Sequence, residues 1–77
     1  MKSTGLYDHN GKEILVGDEI KGIYSGDEFL IKEEKDGFYA QYLRNHDKNT
    51  PKALKNLKVK ISFELTNYII IKKTVEI

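Results

Sequence analysis

The sequence predicts a mainly β fold, a small SH3-like β-barrel of roughly five or six antiparallel strands forming one domain over residues 1–77. Three observations predict it. Turn signals recur at short intervals, at Asn10-Gly11, Ser25-Gly26-Asp27, Asp36-Gly37 and Thr66-Asn67. The runs between them are rich in β-branched and aromatic residues. Residues 57–65 alternate apolar and polar without a break.

The elements follow in chain order. Asn10-Gly11 tolerates positive φ and suits a tight hairpin turn before a short strand at 13–16. A strand at 19–24 comes next, with Ile20 on its inner face and Tyr24 open to either face. Strands at 28–35 and 38–43 flank Asp36-Gly37, which reads as a two-residue loop, and pair antiparallel. On the second of these, Phe38, Ala40 and Tyr42 share one face, while Tyr39, Gln41 and Leu43 share the other. Residues 44–56 are irregular. Thr50 is placed to cap a short helical turn at 51–56 that starts at Pro51, with Leu54 plugging one end of the barrel.

In the alternating segment, Leu57, Val59, Ile61, Phe63 and Leu65 point inward, and Lys58, Lys60, Ser62 and Glu64 outward. Nine extended residues span about 30 Å, so the strand is expected to bend around a barrel or break at a bulge. The last strand is expected at 68–77, with Ile69, Ile71, Val75 and Ile77 facing in and Lys73 interrupting them.

Composition narrows the function classes. The chain has no cysteine, which rules out disulfides and thiolate metal sites and suits a reducing cytoplasm. No apolar run approaches the roughly 18–20 residues of a membrane span, and Met1-Lys2-Ser3-Thr4-Gly5 lacks a signal-peptide core. A cytoplasmic protein without membrane contact is expected. His9 and His46 fall in loops without metal-ligand spacing, and residues 8–13 lack the glycine and acid offsets of a calcium loop. Ser3, Ser25 and Ser62 sit in no activating motif, and no phosphate-cradling glycine loop occurs. No catalytic, metal-ligating or cofactor-binding residue is assigned, and a non-enzymatic binding module is expected.

One segment carries a resemblance. Thr4-Gly5-Leu6-Tyr7-Asp8-His9-Asn10-Gly11-Lys12-Glu13-Ile14-Leu15-Val16-Gly17-Asp18-Glu19-Ile20 resembles the opening of the YopX family of phage and prophage proteins. That opening reads T-G-L, an acidic residue, N-G-K-E-I, then G-D before an apolar strand. Thr74-Val75-Glu76-Ile77 is weakly similar to a strand that leads, in that family, into I-G-N, and here the chain stops before it. The resemblance implies a small β-rich fold and a phage or prophage setting, and it brings no catalytic residues with it.

Two binding surfaces compete. Residues 1–43 carry a net charge of −4 and residues 44–77 one of +5. Neighbouring strands would mix these charges on one surface. If they stay apart, Arg44, Lys52, Lys55, Lys58, Lys60, Lys72 and Lys73 form a basic face for nucleic acid, with Lys58 and Lys60 aligned along a phosphate backbone. Tyr39, Tyr42 and Tyr68 would stack on bases. The leading expectation is a protein partner, in the host or the phage. Val16, Tyr24, Leu30, Tyr39, Leu43 and Ile70 lie opposite the expected core face, where they form either a contact patch or a second small core. The contact set is Tyr24, Asp27, Glu28, Tyr39 and Tyr42, and acids including Glu33, Glu34 and Asp36 would let the chain inhibit host machinery by mimicking a polyanion. The same surface is compatible with a homo-oligomer.

Overall fold

The computed structural model of the chain describes residues 2–74. Seven strands occur among them. β1 (Ser3–Tyr7) and β2 (Glu13–Leu15) form a two-stranded sheet. β3 (Glu19–Gly22), β4 (Glu28–Glu34), β5 (Gly37–Arg44), β6 (Lys58–Lys60) and β7 (Tyr68–Lys72) form a second sheet. Its order is β6-β5-β4-β3-β7 and every pairing is antiparallel. This is the small, barrel-like β fold that the turn spacing predicts.

The longest ladder is β4–β5, where Phe29 faces Tyr42, Ile31 faces Ala40 and Glu34 faces Gly37. That register makes Lys35-Asp36 the two-residue loop, one position earlier than expected. Gly37 opens β5 at φ 141°, a backbone conformation open to glycine and strained for other residues. β1, unplaced in the sequence reading, pairs with β2 around the Asn10-Gly11 turn.

One face of the larger sheet is apolar. Ile20, Ile31 and Ala40 are buried there with Ile14 of β2 and Leu65, and Leu6, Phe29, Ile61, Tyr68 and Ile70 pack around them. The β1–β2 hairpin thus supplies part of the lid over the sheet. Phe29 links its neighbours through tilted ring contacts to Tyr42 (5.5 Å) and Tyr68 (6.1 Å).

The alternating segment does not form one strand. Only Lys58–Lys60 pairs with β5, extended at its ends by backbone bonds from Tyr42 N–H to Leu57 and from Ile61 N–H to Phe38. The topology explains the break. β6 and β7 stand at opposite ends of the strand order, so residues 61–67 must carry the chain from one edge of the sheet to the other. They do so as a strap over the apolar face, outside either ladder. Leu65 is buried beneath it at 1% exposure, whereas Leu57, Val59 and Phe63, expected inside, remain 42–47% exposed.

β7 corrects the expected phase. Ile70, with Tyr68, packs on the core, and Ile71 is exposed. Tyr-Ile-Ile-Ile has no alternation to select a face, so the register Ile20 opposite Ile70 decides. The expected inward positions Val75 and Ile77 lie outside the described residues. Residues 44–56 are irregular as expected, apart from a single 3₁₀ turn at Lys52–Leu54. Pro51 occupies its N-cap position, and the Thr50 hydroxyl donates instead to Leu43 O (2.5 Å). Leu54 is half-buried and is not among the residues packed on the core.

Candidate functional site

Three buried carboxylates organise the ends of the sheet. Asp8 accepts hydrogen bonds from the N–H groups of Asn10 (2.9 Å), Lys12 (2.8 Å) and Ile70 (3.1 Å). Burial alone would raise its pKa, but the Lys12, Ile70 and Asn10 amides outweigh it and hold the carboxyl below its ordinary value. Asp18 accepts from Leu15 N–H (2.9 Å), Thr74 N–H (2.7 Å) and the Lys73 ammonium (2.7 Å). Glu28, 1% exposed, is held by Lys48 and Arg44. The Lys48 hydrogen bond chiefly keeps its carboxyl below the ordinary range, against burial and with help from Arg44. Asp8 and Asp18 are the two aspartates of the N-terminal motif, and both reach across to β7 or the residue pair just after it.

These contacts rearrange the expected basic face. Arg44 serves Glu28 and lies 3.7 Å from Glu19. Lys58 pairs with Glu34 (2.6 Å), Lys60 with Asp36 (3.4 Å), Lys72 with Glu19 (3.9 Å) and Lys73 with Asp18. The Glu34 hydrogen bond raises the Lys58 pKa. Lys52 and Lys55 are exposed and have no acidic partner among the described residues. The charges of the two halves therefore mix, because Glu34 at the end of β4 and Asp36 in the β4–β5 loop reach the lysines of β6.

The expected protein-contact set divides. Tyr24 is 86% exposed at the tip of the β3–β4 turn. Asp27 is half-buried and accepts the Tyr42 hydroxyl (3.2 Å). Tyr42 itself is buried, a correction to its expected role as a surface contact, because its ring completes the apolar face beside Phe29. Burial, reinforced by Asp27, raises its pKa. Glu28 is likewise corrected, since two cations bind it inside. Tyr39 donates to Asp36 (3.0 Å) with the Lys58 ammonium 5.7 Å from its ring centre. That hydrogen bond raises the Tyr39 pKa and lowers that of Asp36.

The exposed apolar surface lies around the strap instead. Beneath Phe63 is a narrow slot of about 80 Å³ lined by Ile20, Phe29, Ala40, Val59, Leu65 and Tyr68. Beside it a wider hollow of about 320 Å³ runs between Phe63-Glu64 and the turn bearing Gly22, Tyr24 and Ser25, with Asn67 and Tyr68 on its wall. The turn is tight: Gly22 N–H bonds Asp27 O, Gly26 N–H bonds Gly22 O, and Gly26 sits at φ 77°. This leaves Tyr24 no way back to the sheet. A Cβ on Gly22 would meet Ser25 Oγ at 2.6 Å and the Tyr68 ring at 3.5 Å, so the missing side chain keeps the hollow open. Alternation predicts Val59 and Phe63 in the core and Glu64 on a strand face, and nothing local signals their grouping with Tyr24.

No group of three His, Asp or Glu side chains among the described residues is arranged to hold a metal ion. His9 Nδ1 lies 3.2 Å from Thr66 O, and His46 lies 3.3 Å from Asp47 and against Gly26. No helix among the described residues is long and apolar enough to cross a membrane. No family model, no curated protein and no solved structure matches this chain.

Proposed function

We propose that this chain is a non-enzymatic binding module that docks a protein partner on the surface formed by Tyr24, Val59 and Phe63. One observation carries this reading. Phe63 and Val59 are half-exposed over an apolar slot that opens into the core, and the almost fully exposed Tyr24 shares the adjoining hollow with Phe63. Grouped exposed aromatics beside a preformed apolar slot are the usual anchor points of a protein interface. The resemblance of residues 4–20 to the YopX family extends the proposal to a phage or prophage accessory protein acting on a host or phage protein in the bacterial cytoplasm. Nucleic-acid binding has less in its favour, since five of the seven cations expected to carry it have acidic partners.

The test is affinity capture from nuclease-treated bacterial lysate, with wild type and F63D compared side by side. A protein retained stoichiometrically by wild type and lost with F63D supports the reading. Retention of nothing, or equal retention by both, overturns it.

A further inference from the structure

The hollow beside Phe63 differs chemically from the slot beneath it. Three aromatic residues border it, Tyr24, Phe63 and Tyr68, together with one acidic residue, the exposed Glu64, which also borders a hollow against Gly5, Leu6 and Tyr7. Nearly every other acid among the described residues is engaged. Asp18, Glu19, Glu28, Glu33, Glu34 and Asp36 pair with lysine or arginine. Asp8 binds backbone amides, Glu13 accepts the Ser3 hydroxyl, Asp27 accepts the Tyr42 hydroxyl, and Asp47 lies beside His46. Glu64 alone has neither an ion pair nor a hydrogen bond among the described residues.

We propose that this hollow receives a cationic side chain, lysine or arginine, of the protein partner, its charge facing Glu64 and its stem or plane against Tyr24, Phe63 and Tyr68. The inference rests on the binding-module reading and names the chemistry of what binds. Aromatic faces attract cations through their quadrupole, and an unpaired carboxylate supplies the counter-charge. A phosphate is disfavoured at the same place by Glu64. A purely apolar side chain fits the slot under Phe63 and would leave Glu64 unmatched. Gly22 sits on the hollow's wall, where a side chain would take up the space needed by the ligand.

The experiment is an amide-resolved NMR titration of the full chain with N-acetyl-arginine amide, N-acetyl-lysine amide and the neutral N-acetyl-citrulline amide. Saturable shifts centred on Tyr24, Glu64, Asn67 and Tyr68 are expected with the two cations, binding about five- to tenfold more tightly than citrulline and weakening with salt. Whichever cation binds better identifies the partner residue, and either order supports the proposal. E64Q, exposed and without partners to lose, is expected to keep the spectrum of the rest of the chain and lower cation affinity about fivefold. Equal binding of citrulline, shifts mapping away from the hollow, or unchanged affinity in E64Q overturns it. No partner protein enters this titration, so its failure alongside a positive F63D capture result removes the cation site and leaves the binding-module reading standing.

Discussion

The two edges of the larger sheet are finished in opposite ways. The β7 edge is sealed. His9 N–H donates to Tyr68 O (2.7 Å), the Asp8 carboxylate takes Ile70 N–H, and Asp18 takes Thr74 N–H just beyond the strand. The β6 edge is bare and short. Leu57, Val59 and Ile61 spend their backbone bonds on β5, so in an antiparallel ladder the N–H and C=O groups of Lys58 and Lys60 face outward. Lysines at these positions discourage chance pairing of strands. The difference teaches that buried carboxylates can close a sheet edge where no further strand is available. The bare strand also leaves Val59 exposed, and the strap that follows it leaves Phe63 exposed.

This contrast can be broken most severely at the strap. L65A removes the one side chain of the strap that is fully buried, and a loss of about 3 kcal/mol is expected in urea unfolding. A loss below 1 kcal/mol would show that the crossing contributes little to the core. At the sealed edge, D8A strands three amide donors, and about 2 kcal/mol is expected by the same measurement.

The buried carboxylates also predict a pH dependence. Asp8 and Glu28 have folded pKa values below their ordinary 3.8 and 4.5, so each carboxylate stabilises the fold above its unfolded pKa. That stability is lost as pH falls through the folded values. The urea midpoint is expected to be level from pH 8 to 6 and to fall below about pH 4.5. D8A should show a shallower acid limb than wild type, and an identical limb would assign the acid sensitivity elsewhere.

At the open side the effects are smaller. F63S removes a half-exposed ring that lines the apolar slot and is expected to cost about 1 kcal/mol while removing the captured partner. K60A breaks only an exposed pair with Asp36, and its effect on the urea midpoint should correspond to less than about 0.5 kcal/mol and fade in high salt.

Much of the fold was legible because it is local. The Asn10-Gly11, Ser25-Gly26 and Thr66-Asn67 turns, the β4–β5 pairing and the irregular stretch 44–56 all follow from short-range chemistry. The misses share a cause. Alternation shows that a segment is extended, but not whether it ends in a ladder or crosses a sheet. Leu57, Val59 and Phe63 have the same pattern as Leu65, and only the last is covered. Glu28 and Tyr42 read as surface residues until their neighbours are known. Of the candidate site, only Tyr24 belongs to the contact set expected from the sequence, and its strand pattern left its face open.

Residue order alone determined which segments are extended and where they reverse, since φ preferences and apolar alternation act over a few neighbouring residues. Tertiary structure decided which faces are buried. Asp8 finds its third donor at Ile70 and Asp18 finds two at Lys73 and Thr74, partners that meet only once the sheet is assembled. The seven-residue reach between opposite edges likewise fixes the strap over the core and leaves Phe63 and Glu64 facing out.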